Sequence, residues 1–237
     1  MWDAQWSAFA SEFQVVKYDM RGFGRSTLPP ASYAHHHDLV AVLDILDIPR
    51  ATLVGSSFGG DVATAFALDN PERVEALILV NTLAGASTRS DALRDGWKAI
   101  DALVESGDVD AAVELELRMW VDGPTRSPHE VDGSFRERVR EMDMALFARA
   151  AEEEEASELP IDPPIVGRLH ELRMPALIVV GELDVPDALT SANVLAERIP
   201  GAKLATIPDA AHLPSMERPT QFNRIVLDFL HELSPPE

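Results

Sequence analysis

Glycines flank a serine at two residues' distance on either side in Gly55-Ser56-Ser57-Phe58-Gly59-Gly60, a pattern that can do acyl-transfer chemistry. In Gly-x-Ser-x-Gly a strained turn between a strand and a helix lifts the serine oxygen into the open, and the glycines let the two elements approach without Cβ clashes. Phe58, next to Ser57 at the start of the expected helix, offers a backbone N–H to an oxyanion, aided by the positive end of the helix dipole. The competing reading is a glycine-rich helix start with Ser56 or Ser57 as a cap or anion binder.

A serine hydroxyl needs a base to become a nucleophile, and the base needs an acid to orient it. Four histidines follow Ser57: His129, His170, His212 and His231. Only His212 sits just past a strand-like run, in Ile207-Pro208-Asp209-Ala210-Ala211-His212, so His212 is the candidate base. The run 176–180 ends in Gly181-Glu182-Leu183-Asp184-Val185-Pro186-Asp187, three carboxylates within six residues. Asp187 is placed to cap or open the helix after Pro186 and Glu182 follows the strand directly, which leaves Asp184 in the loop as the candidate acid. The corresponding place after the preceding strand holds Asn81, which has no charge to stabilise an imidazolium.

These residues need a sheet to hold them. β-Branched apolar runs at 14–18, 52–55, 76–80, 176–180 and 204–207 alternate with helical spacing, which argues for a parallel α/β sheet. Pro71, Pro175 and Pro200 stand near strand starts, where a missing N–H is tolerated. The alternation stops between Leu83 and about Arg173, and helical spacing at 90–106, 108–121 and 131–155 predicts an inserted helical cap. The expected division is core 1–83, cap 84–173 and core 174–237. Trp97, Trp120 and Phe147 are the cap's candidate substrate-pocket residues, although aromatics at such spacing also serve as ordinary core.

The chain has 237 residues, 20 basic against 40 acidic, for a formal net charge of −20, which disfavours nucleic acid and anionic membrane surfaces as partners. Acidic stretches such as Glu152 to Glu155 read as a solvated helix face or loop. No cysteine is present, so disulfides, thiolate metal sites and a cysteine nucleophile are excluded, and the cytoplasm is only the default compartment. The first twenty residues have no uninterrupted apolar core, so they do not read as a signal peptide, and no apolar run reaches membrane-spanning length. His35-His36-His37-Asp38 lacks the second and third ligands of a metal site. It is expected to be the solvated entrance of an amphipathic helix carrying Leu39, Val42, Leu43 and Leu46 on one face.

Taken together, Asp19-Met20-Arg21-Gly22-Phe23-Gly24-Arg25-Ser26, the serine turn, Gly181-Glu182-Leu183-Asp184 and His212-Leu213-Pro214-Ser215-Met216-Glu217-Arg218-Pro219 resemble segments of the α/β-hydrolase superfamily in the same order. The resemblance runs from residue 1 to about 233 and is nearest to small capped esterases and lactonases of the 3-oxoadipate enol-lactonase and cofactor-free haloperoxidase/esterase kind. It implies an α/β-hydrolase fold with a mostly parallel sheet flanked by helices, a small ester or lactone as substrate, no cofactor and no metal, in a monomer or homodimer. Hydrolysis of a carbon–carbon bond by the same three residues and a non-catalytic ligand-binding relative are the alternatives. Ser57 argues against the dehalogenase and epoxide hydrolase branches, whose covalent ester needs an aspartate there. In relatives a strand ending in His-Gly precedes a segment like residues 1–5 and supplies a second oxyanion N–H. The resemblance therefore implies that Met1 is internal to a longer natural protein, with a missing strand between 14–18 and 52–55.

Overall fold

The computed structural model describes residues 1–28, 31–86, 88–150 and 157–233; the acidic stretch Glu152 to Glu155 lies outside them. The first part of the chain forms α1 (Asp3–Ala10), β1 (Ser32–Tyr33), α2 (His35–Ile45), β2 (Ala51–Ser56), α3 (Phe58–Asp69) and β3 (Val74–Val80). Next come α4 (Asp91–Glu105), α5 (Val109–Glu116), a π-helical turn over Leu117–Asp122, α6 (Gly133–Ala150), β4 (Ser157–Glu158) and α7 (Ile165–Arg168). The chain then returns through β5 (Ala176–Gly181), α8 (Pro186–Arg198), β6 (Lys203–Ile207), α9 (Pro214–Glu217) and α10 (Pro219–Leu233).

β2, β3, β5 and β6 form a four-stranded sheet in that spatial order, every pairing parallel. Period-two alternation divides the central strands between two cores. Leu77 and Leu79 of β3, with Ala176, Ile178 and Val180 of β5, face a cluster that holds Phe66, Leu43, Leu169 and Leu195. Ala76, Ile78 and Val80, with Leu177 and Val179, face Phe9, Phe222, Val226 and Phe229. All of β5 is buried, as a strand covered on both faces must be. Each such Leu, Ile or Phe contributes roughly 1.5–3 kcal/mol by leaving water.

Among the described residues between β3 and β5, the helices α4, α5 and α6 and the π turn fall where the spacing predicts helices, and the short β4 follows them. Ser90 and Asp108 cap α4 and α5 by accepting the backbone N–H groups of Leu93 and Ala111. The apolar faces of α5, the π turn and α6 meet in a cluster of Val113, Leu117, Val121, Val131, Phe135 and Val139, closed by Leu213 from the core. Asp122, with no exposed surface, is balanced by Arg136 and Arg118.

Two expectations are corrected. Residues 14–18 form no ladder with any described strand: β2 pairs only with β3, and Val16 and Tyr18 are exposed while Val15 packs on the apolar core. Alternating side chains suit a strand, but a strand exists only where a neighbour supplies ladder hydrogen bonds. Of the histidine triplet, which opens α2, only His37 is solvated. His35 and His36 are 3% and 7% exposed, with His35 edge-on to Phe58 and Tyr33 at ring distances of 5.2 and 5.1 Å. Among the described residues no helix is long and apolar enough to cross a membrane.

Candidate active site

Ser57 lies between the C-terminal end of β2 and the first residue of α3, at φ 51° and ψ −122°, in the left-handed region that a side chain rarely occupies. Its N–H donates to Val80 O at 2.8 Å, which ties the turn to the neighbouring strand. Gly55 is required by close approach: a Cβ there would lie 2.3 Å from Gly59 O. Such strain clusters at functional sites because surrounding structure enforces it. Phe58 opens α3, so its N–H belongs to the first turn, whose donors have no acceptor within the helix.

His212 follows β6 and Asp184 follows β5, and the fold brings both to Ser57. His212 Nε2 is 2.9 Å from Ser57 Oγ, and His212 Nδ1 is 2.8 Å from Asp184 Oδ2. The acid and the imidazole are 2% and 4% exposed. A carboxylate only accepts, so Nδ1 carries the proton and Nε2 is left to accept the serine O–H. Such an arrangement can move a proton from the serine to the imidazole while the carboxylate balances the charge. Asp184 Oδ1 also accepts the Val185 N–H at 2.7 Å. The rival Asp187 is engaged elsewhere: its carboxylate accepts both the N–H and the hydroxyl of Ser90, joining the start of α8 to the start of α4.

Asn81 is the residue that sequence reasoning passed over. Its Nδ2 donates to Asp184 Oδ2 at 2.6 Å and to Ala211 O at 3.0 Å, and its Oδ1 accepts the Gly181 N–H at 3.0 Å. One buried amide thus joins both loops that carry the acid and the imidazole. The available signal was a polar residue at the end of the wholly apolar run Leu77–Val80, where burial demands partners.

Of the three aromatics singled out, Trp120 reaches the site: its ring is 4.3 Å from the His212 ring, and its carbonyl accepts the His212 N–H at 3.1 Å. Trp97 packs in the same small cluster as Trp120, with Leu83, Leu93 and Ala188. Phe147 packs instead with the α5–α6 cluster. Burial raises the carboxyl of Glu116, which is hydrogen-bonded to Trp120 and feels the charge of His212. Burial also raises Asp61, whose carboxylate is hydrogen-bonded to Thr82.

The pattern of the alpha/beta hydrolase fold family matches residues 1–219. The chain belongs to that family. With it, the chain is a hydrolase. It is 28% identical to 3-oxoadipate enol-lactonase 2 of Acinetobacter baylyi over 95% of this hydrolase and 82% of that protein. It is 31% identical to the 2-hydroxy-6-oxononadienedioate/2-hydroxy-6-oxononatrienedioate hydrolase of Burkholderia vietnamiensis over 94% of this chain and 78% of the other. Among solved structures, a hydrolase from Pseudomonas aeruginosa PA01 superposes with a TM-score of 0.77 at 32% identity, covering 97% of this chain and 84% of that one.

Proposed function

We propose that this hydrolase cleaves a small carboxylic ester or lactone through an acyl-enzyme on Ser57. His212 takes the serine proton as general base and returns it to the leaving alkoxide; Asp184 orients the imidazole and balances its charge. Water, activated by the same imidazole, then releases the acid. The Phe58 N–H, at the positive end of α3, donates to the oxyanion of each tetrahedral intermediate. Residues 84–173 act as a cap, with Trp120 and Trp97 offering apolar surface above Ser57 and Phe147 packing with α5 and the π turn that carries Trp120.

The observation that carries this reading is the unbroken series Asp184–His212–Ser57 at 2.8 and 2.9 Å, on a left-handed serine between strand and helix. The test is hydrolysis of a p-nitrophenyl ester together with labelling by an organophosphonate. Ser57→Ala is expected to lower turnover by about 10⁴-fold or more and to abolish the label. An unlabelled wild-type Ser57, or full activity in the alanine variant, would overturn it. A second reading, hydrolysis of a carbon–carbon bond, is favoured by the similarity to the Burkholderia vietnamiensis hydrolase. It predicts turnover of a dienoic or diketone substrate in preference to simple esters, with the same dependence on Ser57.

A further inference from the structure

The main chain around His212 is held from two sides. The core holds it through Asn81, which donates to Ala211 O, and through the Leu183 N–H, which donates to Ala210 O at 2.9 Å. On the other side, Trp120 O from the helical segment accepts the His212 N–H, and Glu217 Oε2, at the end of α9, accepts the Ala211 N–H at 2.9 Å. Glu217 is in turn gripped by Arg126, with Nη1 to Oε1 at 2.5 Å, in a pair whose side chains are only 6% and 11% exposed. The same guanidinium donates to Val121 O at 2.7 Å and Asp122 O at 2.9 Å, carbonyls at the end of the π turn that carries Trp120. Gly123, at φ 72°, lets this turn lie directly on the acid loop: a Cβ there would stand 2.4 Å from Leu183 O.

From this geometry we infer that Arg126 and Glu217 are positioning residues for the general base. Together they form a latch by which the helical segment sets the height of His212 over Ser57. The inference rests on the acyl-transfer reading above. Arg126 satisfies helix-terminal carbonyls and a buried carboxylate with one rigid fork, so its loss frees two loops at once. A reacting group displaced by about 1 Å can lose 10²-fold in rate.

The experiment compares Arg126→Ala, Arg126→Lys and Glu217→Gln with Leu43→Ala, a control in the distant core under α2. Turnover and KM on a p-nitrophenyl ester are measured beside the thermal midpoint. Arg126→Ala and Glu217→Gln are expected to lower kcat about 10- to 100-fold with KM changed less than threefold. Arg126→Lys, which keeps charge without the fork, should recover part of kcat, and Leu43→Ala should lower the midpoint alone. Latch variants that lose only thermal stability, like Leu43→Ala, overturn the proposal. Should Arg126→Ala be insoluble, Glu217→Gln and Arg126→Lys decide by the same criteria. If wild-type Ser57 takes no organophosphonate label, the acyl-transfer reading has failed by itself. The latch is then judged by the downfield His212 Nδ1 proton resonance, whose persistence unchanged in Glu217→Gln refutes it.

Discussion

Ser57 stands on a turn held by backbone and apolar packing, whereas His212 stands on a loop that needs side-chain hydrogen bonds and charges beside its two backbone contacts. On the serine side, the Val80 carbonyl takes the Ser57 N–H, and the fully buried Phe66 locks α3 against the sheet. On the histidine side, Asn81, Glu217 and Arg126 fix the main chain that carries the imidazole. The difference follows from geometry. A strand-turn-helix junction places its middle residue by covalent and steric constraint, while a loop beyond a strand has no ladder and must find partners one by one.

The contrast can be sharpened first at the acid. Asp184→Asn replaces an acceptor facing His212 with an amide and reverses the tautomer preference, so kcat is expected to fall about 10⁴-fold. Steady-state kinetics with an intact thermal transition would check this; a loss under tenfold would mean the imidazole is oriented by other groups. Phe66→Ala probes the opposite side. It should cost about 3–5 kcal/mol in denaturant unfolding, with turnover per folded molecule nearly unchanged, because packing rather than polar contact supports the serine turn. Asn81→Ala comes third. It leaves the Gly181 N–H and Ala211 O without their partner, a cost of about 1–3 kcal/mol. Because both loops that carry the acid and the imidazole are released, kcat is expected to fall as well, by about 10- to 100-fold. If it lowered stability and spared kcat, the two sides would differ less than the hydrogen bonds suggest.

The same contrast explains what was legible in the sequence. Gly55, Ser57 and the runs that became β2, β3, β5 and β6 carry their meaning locally, through turn chemistry and apolar periodicity. His212 and Asp184 could be chosen because each follows a strand in the order Ser57, acid, histidine. Asn81 was judged only as a possible acid, since its three partners lie 100 to 130 residues away along the chain. Arg126 is just as uninformative alone, because its pairing with Glu217 spans 91 residues. Residues 14–18 failed for the converse reason: their alternation is strand-like, but pairing is a property of the neighbour. His35 was misread because helix periodicity does not reveal that the first turn of α2 packs on the first turn of α3.

The last test concerns stability alone and separates α6 from the residues around Ser57. Asp143 lies on α6, where burial and the nearby charge of Glu116 push its carboxyl up to about 7, with Arg140 acting the other way. A carboxyl raised in the folded state binds a proton that the unfolded chain has already released. Its contribution is therefore fully present below the ordinary value of 3.8 and is lost as pH rises to about 7. Asp143→Asn removes this dependence. The thermal midpoint of the variant should vary less than that of the wild type between pH 4 and pH 7, and at pH 8 the variant should be the more stable of the two. Parallel curves across that range would show that Asp143 is solvated in the folded protein and that α6 carries no buried acid. A flattened curve with turnover unchanged at pH 8 would show that α6 can be neutralised at Asp143 without disturbing His212, which the helical segment touches through Trp120 of the π turn, itself tied to Glu217 by Arg126.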